Sequence, residues 1–239
     1  MDIAPMIIKS SAMSDRIIAI VPAAGVGARA NAQGGQSPPK QYRQLAGEPM
    51  LRLAVKALLA DRRISQVRVA VAPGDVRAEA VLAGLPRTVV RPCGGATRAD
   101  TVLNALREPD IGERDWALVH DAARPGLPAD ALGRLIDACL SDGTGGLLAL
   151  PVADTVKEGA ERVSRTVPRE ALWLAQTPQM FRAGALRQAL RSAALRHTPV
   201  TDEASAMEAA GHKPLLVRGA ARNAKLTWPE DFEWMEKWL

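Results

Sequence analysis

The stretch Ile17-Ile-Ala-Ile-Val-Pro-Ala-Ala-Gly-Val-Gly-Ala-Arg29, followed by Pro39-Lys40, governs the reading of the whole chain. Five consecutive apolar residues, Ile17 to Val21, have the composition of a buried strand. The strand opens directly into a loop that holds Gly25 and Gly27. Glycine at these positions admits positive φ and lets backbone N–H groups approach phosphate oxygens with no Cβ in the way, while Arg29 and Lys40 supply compensating charge. Neither of two familiar phosphate loops fits: G-x-G-x-x-G would need glycine at Ala30, and no G-x-x-x-x-G-K-[ST] occurs. Two readings of the loop stay open at this point, a nucleoside triphosphate cradle and an ordinary Gly-rich strand-to-helix turn.

Outward from that stretch, Ile- and Val-rich runs at Ile17–Val21, Val67–Ala72, Thr88–Arg91, Ala117–His120 and Gly146–Leu150 alternate with helical-period segments. Those segments lie near Pro49–Arg62, Asp75–Ala83, Thr97–Arg107 and Pro128–Ser141. The series predicts an α/β fold, a mostly parallel twisted sheet with helices on both faces and ligands at the carboxyl ends of the strands. Three loops at those ends, Ala23–Lys40, Gly94–Arg98 and Asp121–Pro125, are expected to converge on one cleft. From Pro151 to Leu172 the pattern becomes a polar-apolar alternation split by Glu158-Gly-Ala-Glu161, which predicts an inserted β-hairpin serving as a lid or as an arm to another subunit. Leu172–Gln176 follows, then helices near Ala183–Arg196 and Asp202–Ala210, a strand near Pro214–Val217 and a last helix from Pro229. Residues 17–239 are expected to form one domain, with 1–16 a disordered tail and 151–172 the arm.

Composition narrows the function. Lys and Arg exceed Asp and Glu by 31 to 26, giving a formal charge of +5, but they are scattered along the chain, which suits a small phosphorylated substrate better than a polynucleotide. Five Trp, one Tyr and two Phe are a poor supply for stacking bases of a single strand. Cys93 and Cys139 have no partner at metal-ligand spacing and are expected to be reduced and structural. No secretory signal and no apolar run of about 18 residues is found, so a cytoplasmic protein with no membrane segment is expected.

The residues singled out are Arg, Lys, Asp and Thr in glycine-rich loops, with no nucleophile elbow, zinc-type His pair or Ser/His/Asp arrangement. A phosphate monoester acting as nucleophile is already anionic near neutral pH, so catalysis would reduce to holding two polyanions together and stabilising their charge. Each candidate also has a plain structural reading. Asp121 and Arg124 could pair with each other, Lys225 could be a surface lysine, Thr201-Asp-Glu203 reads as a helix cap with an acidic first turn, and His120 reads as a satisfied core histidine.

Taken together, Val21-Pro-Ala-Ala-Gly-Val-Gly-Ala-Arg29, Pro39-Lys-Gln41, Gly94-Gly-x-x-Arg98-x-Asp-Thr-Val102, Val119-His-Asp-Ala-Ala-Arg-Pro125, Thr177-Pro-Gln179, Thr201-Asp-Glu-Ala-Ser205 and Asn223-x-Lys-x-Thr227 resemble the 2-C-methyl-D-erythritol 4-phosphate cytidylyltransferase family. The first motif is shared by many sugar nucleotidyltransferases; the His-Asp-Ala-Ala-Arg-Pro and Thr-Asp-Glu-Ala-Ser motifs are far more restrictive. The resemblance implies a Rossmann-like nucleotidyltransferase fold. It also implies transfer of CMP from CTP to 2-C-methyl-D-erythritol 4-phosphate with release of pyrophosphate, a step of non-mevalonate isoprenoid precursor synthesis, with Mg²⁺ bridging the triphosphate.

By position in the matching motifs, Ala23, Ala24, Gly25, Gly27, Gly95, Thr101 and Ala122 would surround the nucleotide, and Arg29, Lys40 and Lys225 would contact the triphosphate as catalytic residues. Asp121 would sit near the metal or substrate hydroxyls, and no residue is assigned as a certain metal ligand. Arg124 and Thr177 would lie near methylerythritol phosphate, with Thr155 and Arg169 supplied by the arm. The arm crosses to the partner subunit in the family, so the resemblance implies a homodimer with shared sites. Ala28 stands where members often carry a basic residue and Ala96 where they commonly carry an acidic one, and the loop Asn31–Pro38 is longer than usual. A cytidylyltransferase for ribitol 5-phosphate or another polyol phosphate, and a non-catalytic nucleotide-binding scaffold, are the rival readings.

Overall fold

The structure is a computed structural model that describes residues 15–25 and 39–239. Strand β1 (Ile17–Pro22) sends Ile17, Ala19 and Val21 into one hydrophobic core and Ile18 and Ile20 into a second on the opposite face. That is why its sequence is apolar without alternation. A small hairpin, β2 (Gln44–Leu45) and β3 (Glu48–Pro49), precedes α1 (Met50–Leu59), and the chain continues through β4 (Ile64–Ala70), α2 (Ala78–Leu82), β5 (Thr88–Arg91), α3 (Arg98–Leu106), β6 (Trp116–Val119), α4 (Ala129–Asp142) and β7 (Gly146–Pro151). The second half comprises β8 (Val156–Gly159), β9 (Val163–Val167), β10 (Trp173–Arg182), α5 (Ala183–Leu195), α6 (Glu203–Ala209), β11 (Leu215–Arg218) and α7 (Pro229–Glu236).

The main sheet has seven strands in the order β11-β7-β10-β6-β1-β4-β5. Helices α1, α2 and α4 cover the face of Ile17, while α3, α5 and α6 cover the face of Ile18. Strands β4 and β5 extend to one side of β1, and β6 then pairs on its other side, so the winding reverses between β1 and β6. A doubly wound sheet opens its ligand crevice at the carboxyl ends of the strands where that reversal occurs.

The parallel sheet with helices on both faces matches the expectation, with two corrections. The segment expected as a short run, Leu172–Gln176, is the ten-residue β10, antiparallel to both β6 and β7. Periodicity carries no direction; the reversal follows because the excursion after β7 re-enters the sheet beside the carboxyl end of β7, Trp173 opposite Pro151. The arm's first strand begins at Val156 and not at Val152, because Val152 N–H bonds the Leu172 carbonyl at 3.1 Å and residues on either side of that bond form a neck. Beyond the neck, β8 and β9 form a separate two-stranded sheet whose residues are almost all exposed.

At the other end of the chain, Asp15 and Arg16 fall in the stretch expected as a tail, yet both are tied to the domain. Arg16 pairs with Asp115 at 2.6 Å, and Asp15 with Arg182 at 2.6 Å and Arg114 at 3.1 Å. Residues 1–14 lie outside the described residues. Cys93 and Cys139 are free, and burial pushes the Cys139 thiol up to about 12, an inert state for a thiol. Among the described residues, no helix is long and apolar enough to cross a membrane.

Candidate active site

Outside the carboxyl ends of β1 and β6 lies a cavity of about 310 Å³, lined by Ala23, Ala24, Gly25, Lys40, Gly95, Thr101, Asp121, Ala122 and Lys225 among others. Its size suits a nucleoside. All nine of those were singled out from the sequence, and they come from four loops and two helices. A smaller cavity of about 150 Å³ adjoins it, sharing Arg98, Asp121 and Lys225 and adding Arg124 and Thr177. Gly27 and Arg29 lie outside the described residues, as do Ala28 and Asn31–Pro38. Thr155 and Arg169 line neither cavity: both are exposed on the neck of the arm, where Arg169 donates to the Ala153 carbonyl.

The floor of the larger cavity is shaped by two adjacent glycines. A Cβ on Gly94 would stand 2.4 Å from the Cβ of Ala24, and one on Gly95 would stand 2.4 Å from the Cβ of Asp100, so neither position admits a side chain. Gly95 N–H is held by Thr101 Oγ1 at 3.0 Å, and that hydroxyl donates to the Thr97 carbonyl at 2.9 Å. Thr101 therefore shapes the turn and has no proton left to offer a base or ribose. Thr97 caps α3 in a reciprocal box with Asp100, turning the helix N-terminus toward the cavity. Gly25 corrects an expectation: its φ is not in the left-handed region. Open space surrounds the place where its Cβ would be, so the use of glycine here is clearance.

Asp121 is the electrostatic centre. Its Oδ1 accepts from Arg98 Nε at 2.8 Å and its Oδ2 pairs with Lys225 Nζ at 2.8 Å, with Arg124 Nε at 3.9 Å. Burial opposes ionisation of this carboxyl, but the charges of Arg98 and Lys225 outweigh it and hold the carboxyl well below the usual carboxylate range. Arg98 is itself clamped by Glu203, Nη1 to Oε1 at 2.8 Å and Nη2 to Oε2 at 3.0 Å. Glu203 is buried and Arg98 is partly exposed, so this fork is a bidentate pair shielded from water on its carboxylate side.

The Asp121 loop is fixed from behind by a hydrogen-bond chain whose proton positions follow from chemistry. His120 is fully buried; its Nε2 faces the Arg124 carbonyl at 3.0 Å and its Nδ1 faces Thr177 Oγ1 at 3.0 Å. A carbonyl only accepts, so Nε2 carries the proton and Nδ1 is the acceptor. Thr177 must then donate to His120, while accepting from Asp121 N–H at 2.9 Å. His120 is thus the satisfied core histidine the sequence suggested, and Thr177 has no free proton for a ligand. Arg124 donates from Nη1 to the Asn223 carbonyl at 2.7 Å, whereas its buried Nε, 3.9 Å from Asp121, has no hydrogen-bond partner among the described residues.

Sequence reasoning missed two functional side chains. Arg98 entered only as part of a loop motif, and Glu203 as an ordinary first-turn acid of α6. Asp202 does cap that helix, accepting from Ser205 N–H at 2.9 Å. Glu203, one residue on, turns inward. No local signal marks it, because its partner Arg98 is 105 residues away.

A profile of the family described as 2-C-methyl-D-erythritol 4-phosphate cytidylyltransferase matches residues 17–239. The chain belongs to this family. Among its relatives, the 2-C-methyl-D-erythritol 4-phosphate cytidylyltransferase of Bordetella petrii is 70% identical over 227 residues, covering 95% of this chain and 100% of that one. A crystal structure of a 4-diphosphocytidyl-2C-methyl-D-erythritol synthase superposes with a TM-score of 0.82 at 39% identity, covering 95% of this chain and 99% of the other. The Francisella tularensis family member follows at TM-score 0.79 and 32% identity, covering 94% and 100%. The seven-stranded fold described above is therefore that of the cytidylyltransferase family.

Proposed function

We infer that the chain is a nucleotidyltransferase that moves CMP from CTP to 2-C-methyl-D-erythritol 4-phosphate, giving 4-CDP-2-C-methyl-D-erythritol and pyrophosphate in non-mevalonate isoprenoid precursor synthesis. Membership of the family carries the reaction and the acceptor. The observation that carries the mechanism is the gathering of Lys225, Arg98 and Arg124 around one buried carboxylate shared by two adjoining cavities, with Lys40 lining the larger of them. The larger cavity takes the nucleoside, and the smaller one, lined by Arg124 whose Nε makes no hydrogen bond among the described residues, takes the acceptor phosphate.

In this reading an oxygen of the acceptor phosphate attacks the α-phosphorus of CTP, a new P–O bond forms, and the bond to the β-phosphate breaks with pyrophosphate leaving. The acceptor is already an anion, so no general base is required. Lys40, Lys225 and Arg29 hold the triphosphate and stabilise the charge that develops in the pentavalent transition state. Lys225 moves from Asp121 to the phosphates when CTP enters, and Asp121, still held by Arg98, keeps the loop in register.

Mg²⁺ fits this site as a substrate-borne ion. Asp121 is the carboxylate shared by both cavities and stays ionised, so it is the group of this chain that would approach the metal, and phosphate oxygens and water would supply the remaining ligands. Bound there, the ion would neutralise charge on the departing pyrophosphate.

We further propose a homodimer built through the arm, with Thr155 and Arg169 completing the partner's acceptor pocket. The support is that both residues lie on the exposed neck, and that Val163, Trp173 and Leu174 leave apolar surface on and beside the arm. A cytoplasmic location accords with the substrates. The test is pyrophosphate release with CTP and Mg²⁺, offering methylerythritol phosphate or ribitol 5-phosphate, with UTP and ATP as controls. Release with methylerythritol phosphate alone supports the reading; release with ribitol phosphate alone overturns the acceptor, and silence with both overturns the chemistry.

A further inference from the structure

Lys40 and Lys225 are brought together by a part of the molecule that meets the larger cavity only at Met50 and Ala123 and otherwise lies away from it. A third hydrophobic cluster, separate from the two cores that flank the sheet, consists of Leu45, Met50, Leu226, Phe232 and Met235. Three chain segments meet in it: the one after Lys40, the one around Lys225, and α7. Polar ties follow the same path. Lys40 Nζ donates to the Leu226 carbonyl, the Arg43 guanidinium lies 3.9 Å over the Phe232 ring, and Asp231 accepts from Thr227 N–H at 2.6 Å and from Trp228 N–H at 2.8 Å. Leu226 N–H in turn bonds the Ala123 carbonyl at 2.9 Å, in the loop of Asp121.

We propose that α7 is a positioning element for the transfer reaction, in which Phe232 and Met235 set the separation between Lys40 and Lys225 and hence the spacing at which the two cations meet the triphosphate. The inference rests on the reading that both lysines bind the triphosphate. An eight-residue helix is marginal by itself and holds its place here through its cap and its two buried side chains. It contributes no residue to the two main cores that flank the sheet, so loosening α7 should disturb the lysines far more than the fold. Preorganised charges tolerate little displacement, and an error of about 1 Å from a remote mutation costs on the order of 10²-fold in rate.

The test compares Phe232→Ala, the conservative Phe232→Leu, Arg43→Gln at the rim of the cluster, and Trp234→Ala on the outer side of α7, measuring kcat and KM for CTP, calorimetric CTP binding and the thermal melt. The expected result is a kcat/KM for CTP lowered on the order of 10²-fold by Phe232→Ala, with KM raised and CTP binding weakened. Phe232→Leu recovers most of it, Arg43→Gln gives a smaller loss in the same direction, and Trp234→Ala behaves as the wild type. In a Lys225→Ala background, Phe232→Ala adds less than about twofold, because the displaced group is already gone.

Wild-type kcat/KM in Phe232→Ala overturns the proposal. So does a full loss repeated in the Lys225→Ala background, or a fall in kcat with unchanged KM that Phe232→Leu shares, since each reports general damage. If Phe232→Ala does not fold, Arg43→Gln decides alone: a raised KM for CTP supports the proposal and an unchanged one overturns it. Near-wild-type turnover in Lys40→Ala and Lys225→Ala would instead remove the parent reading of the lysines, whatever Phe232 does.

Discussion

The buried histidine behind the Asp121 loop makes a quantitative prediction about acid stability. His120 is fully buried, with Nε2–H donating to the Arg124 carbonyl and Nδ1 accepting from Thr177, and burial pushes its pKa from the ordinary 6.5 down to about 4. Below 6.5 the unfolded chain takes up a proton at this residue and the folded chain does not, so the unfolded state binds more protons and stability falls as pH falls. The contribution is fully present above the unfolded value and is lost between about 6.5 and about 4. A tenfold difference in proton affinity between the two states is worth about 1.4 kcal/mol, so linkage places the loss at about 1 kcal/mol near pH ~5.5 and about 2 to 3 kcal/mol near pH ~4.5.

The perturbation is His120→Gln, which keeps a donor for the Arg124 carbonyl and removes the titration, and the assay is urea unfolding followed by tryptophan fluorescence across that pH range. Carboxylates titrate equally in both proteins, and the other two histidines, His197 and His212, are exposed, so the difference between wild type and variant isolates His120. The variant starts less stable at neutral pH, and its deficit shrinks as pH falls. A deficit constant over the range would refute the reasoning, as would an imidazole ¹⁵N spectrum of the folded protein showing the proton on Nδ1.

Further outcomes follow from the same geometry. Lys225→Ala should lower kcat by on the order of 10²- to 10³-fold with an unchanged circular dichroism spectrum, the scale of losing one preorganised donor to the transition state; near-normal turnover would remove Lys225 from the mechanism. Glu203→Gln breaks the shielded fork on Arg98 at a cost of about 3 kcal/mol, which in a chain of this size lowers Tm by roughly 6 to 12 °C, and a melt unchanged by more than about two degrees would contradict the pairing. Gly95→Ala places a Cβ 2.4 Å from that of Asp100, so α3 must shift its first turn; KM for CTP should rise well before kcat falls, and unchanged kinetics would show that the turn yields freely. Chelation by EDTA should abolish pyrophosphate release while leaving the melting curve in place, with Mg²⁺ restoring turnover; turnover surviving chelation would overturn the metal assignment.

Most of the fold was legible because its signals are local. Ile17 to Val21 had to be a strand buried on both faces, since no helix stripe or half-exposed strand is apolar at every position, and the alternation of such runs with helical periods already implied parallel pairing. The strand pattern likewise placed Lys40, Gly95 and Asp121 in loops expected to share one cleft, whereas Lys225 joined them only through the family resemblance. Direction and reach were not legible. The antiparallel course of β10 depends on where the arm returns to the sheet, and the residues Thr155 and Arg169 lie beyond reach of their own chain's cavities because the neck of the arm holds them out.

The hydroxyls of Thr101 and Thr177 illustrate the limit. From the sequence each is a polar group in a ligand-rich loop; in the structure each is spent on another part of the protein, Thr101 on Gly95 and Thr97, Thr177 on Asp121 and His120. The chain by itself determined the layer architecture, the glycine clearances and the charged residues available, because those depend on composition and short-range spacing. Only the tertiary structure decided which polar groups confront each other: Glu203 with Arg98 across 105 residues, and Lys40 with the Leu226 carbonyl across 186. The energy of such pairs comes from exclusion of water and close approach, and both are properties of packing.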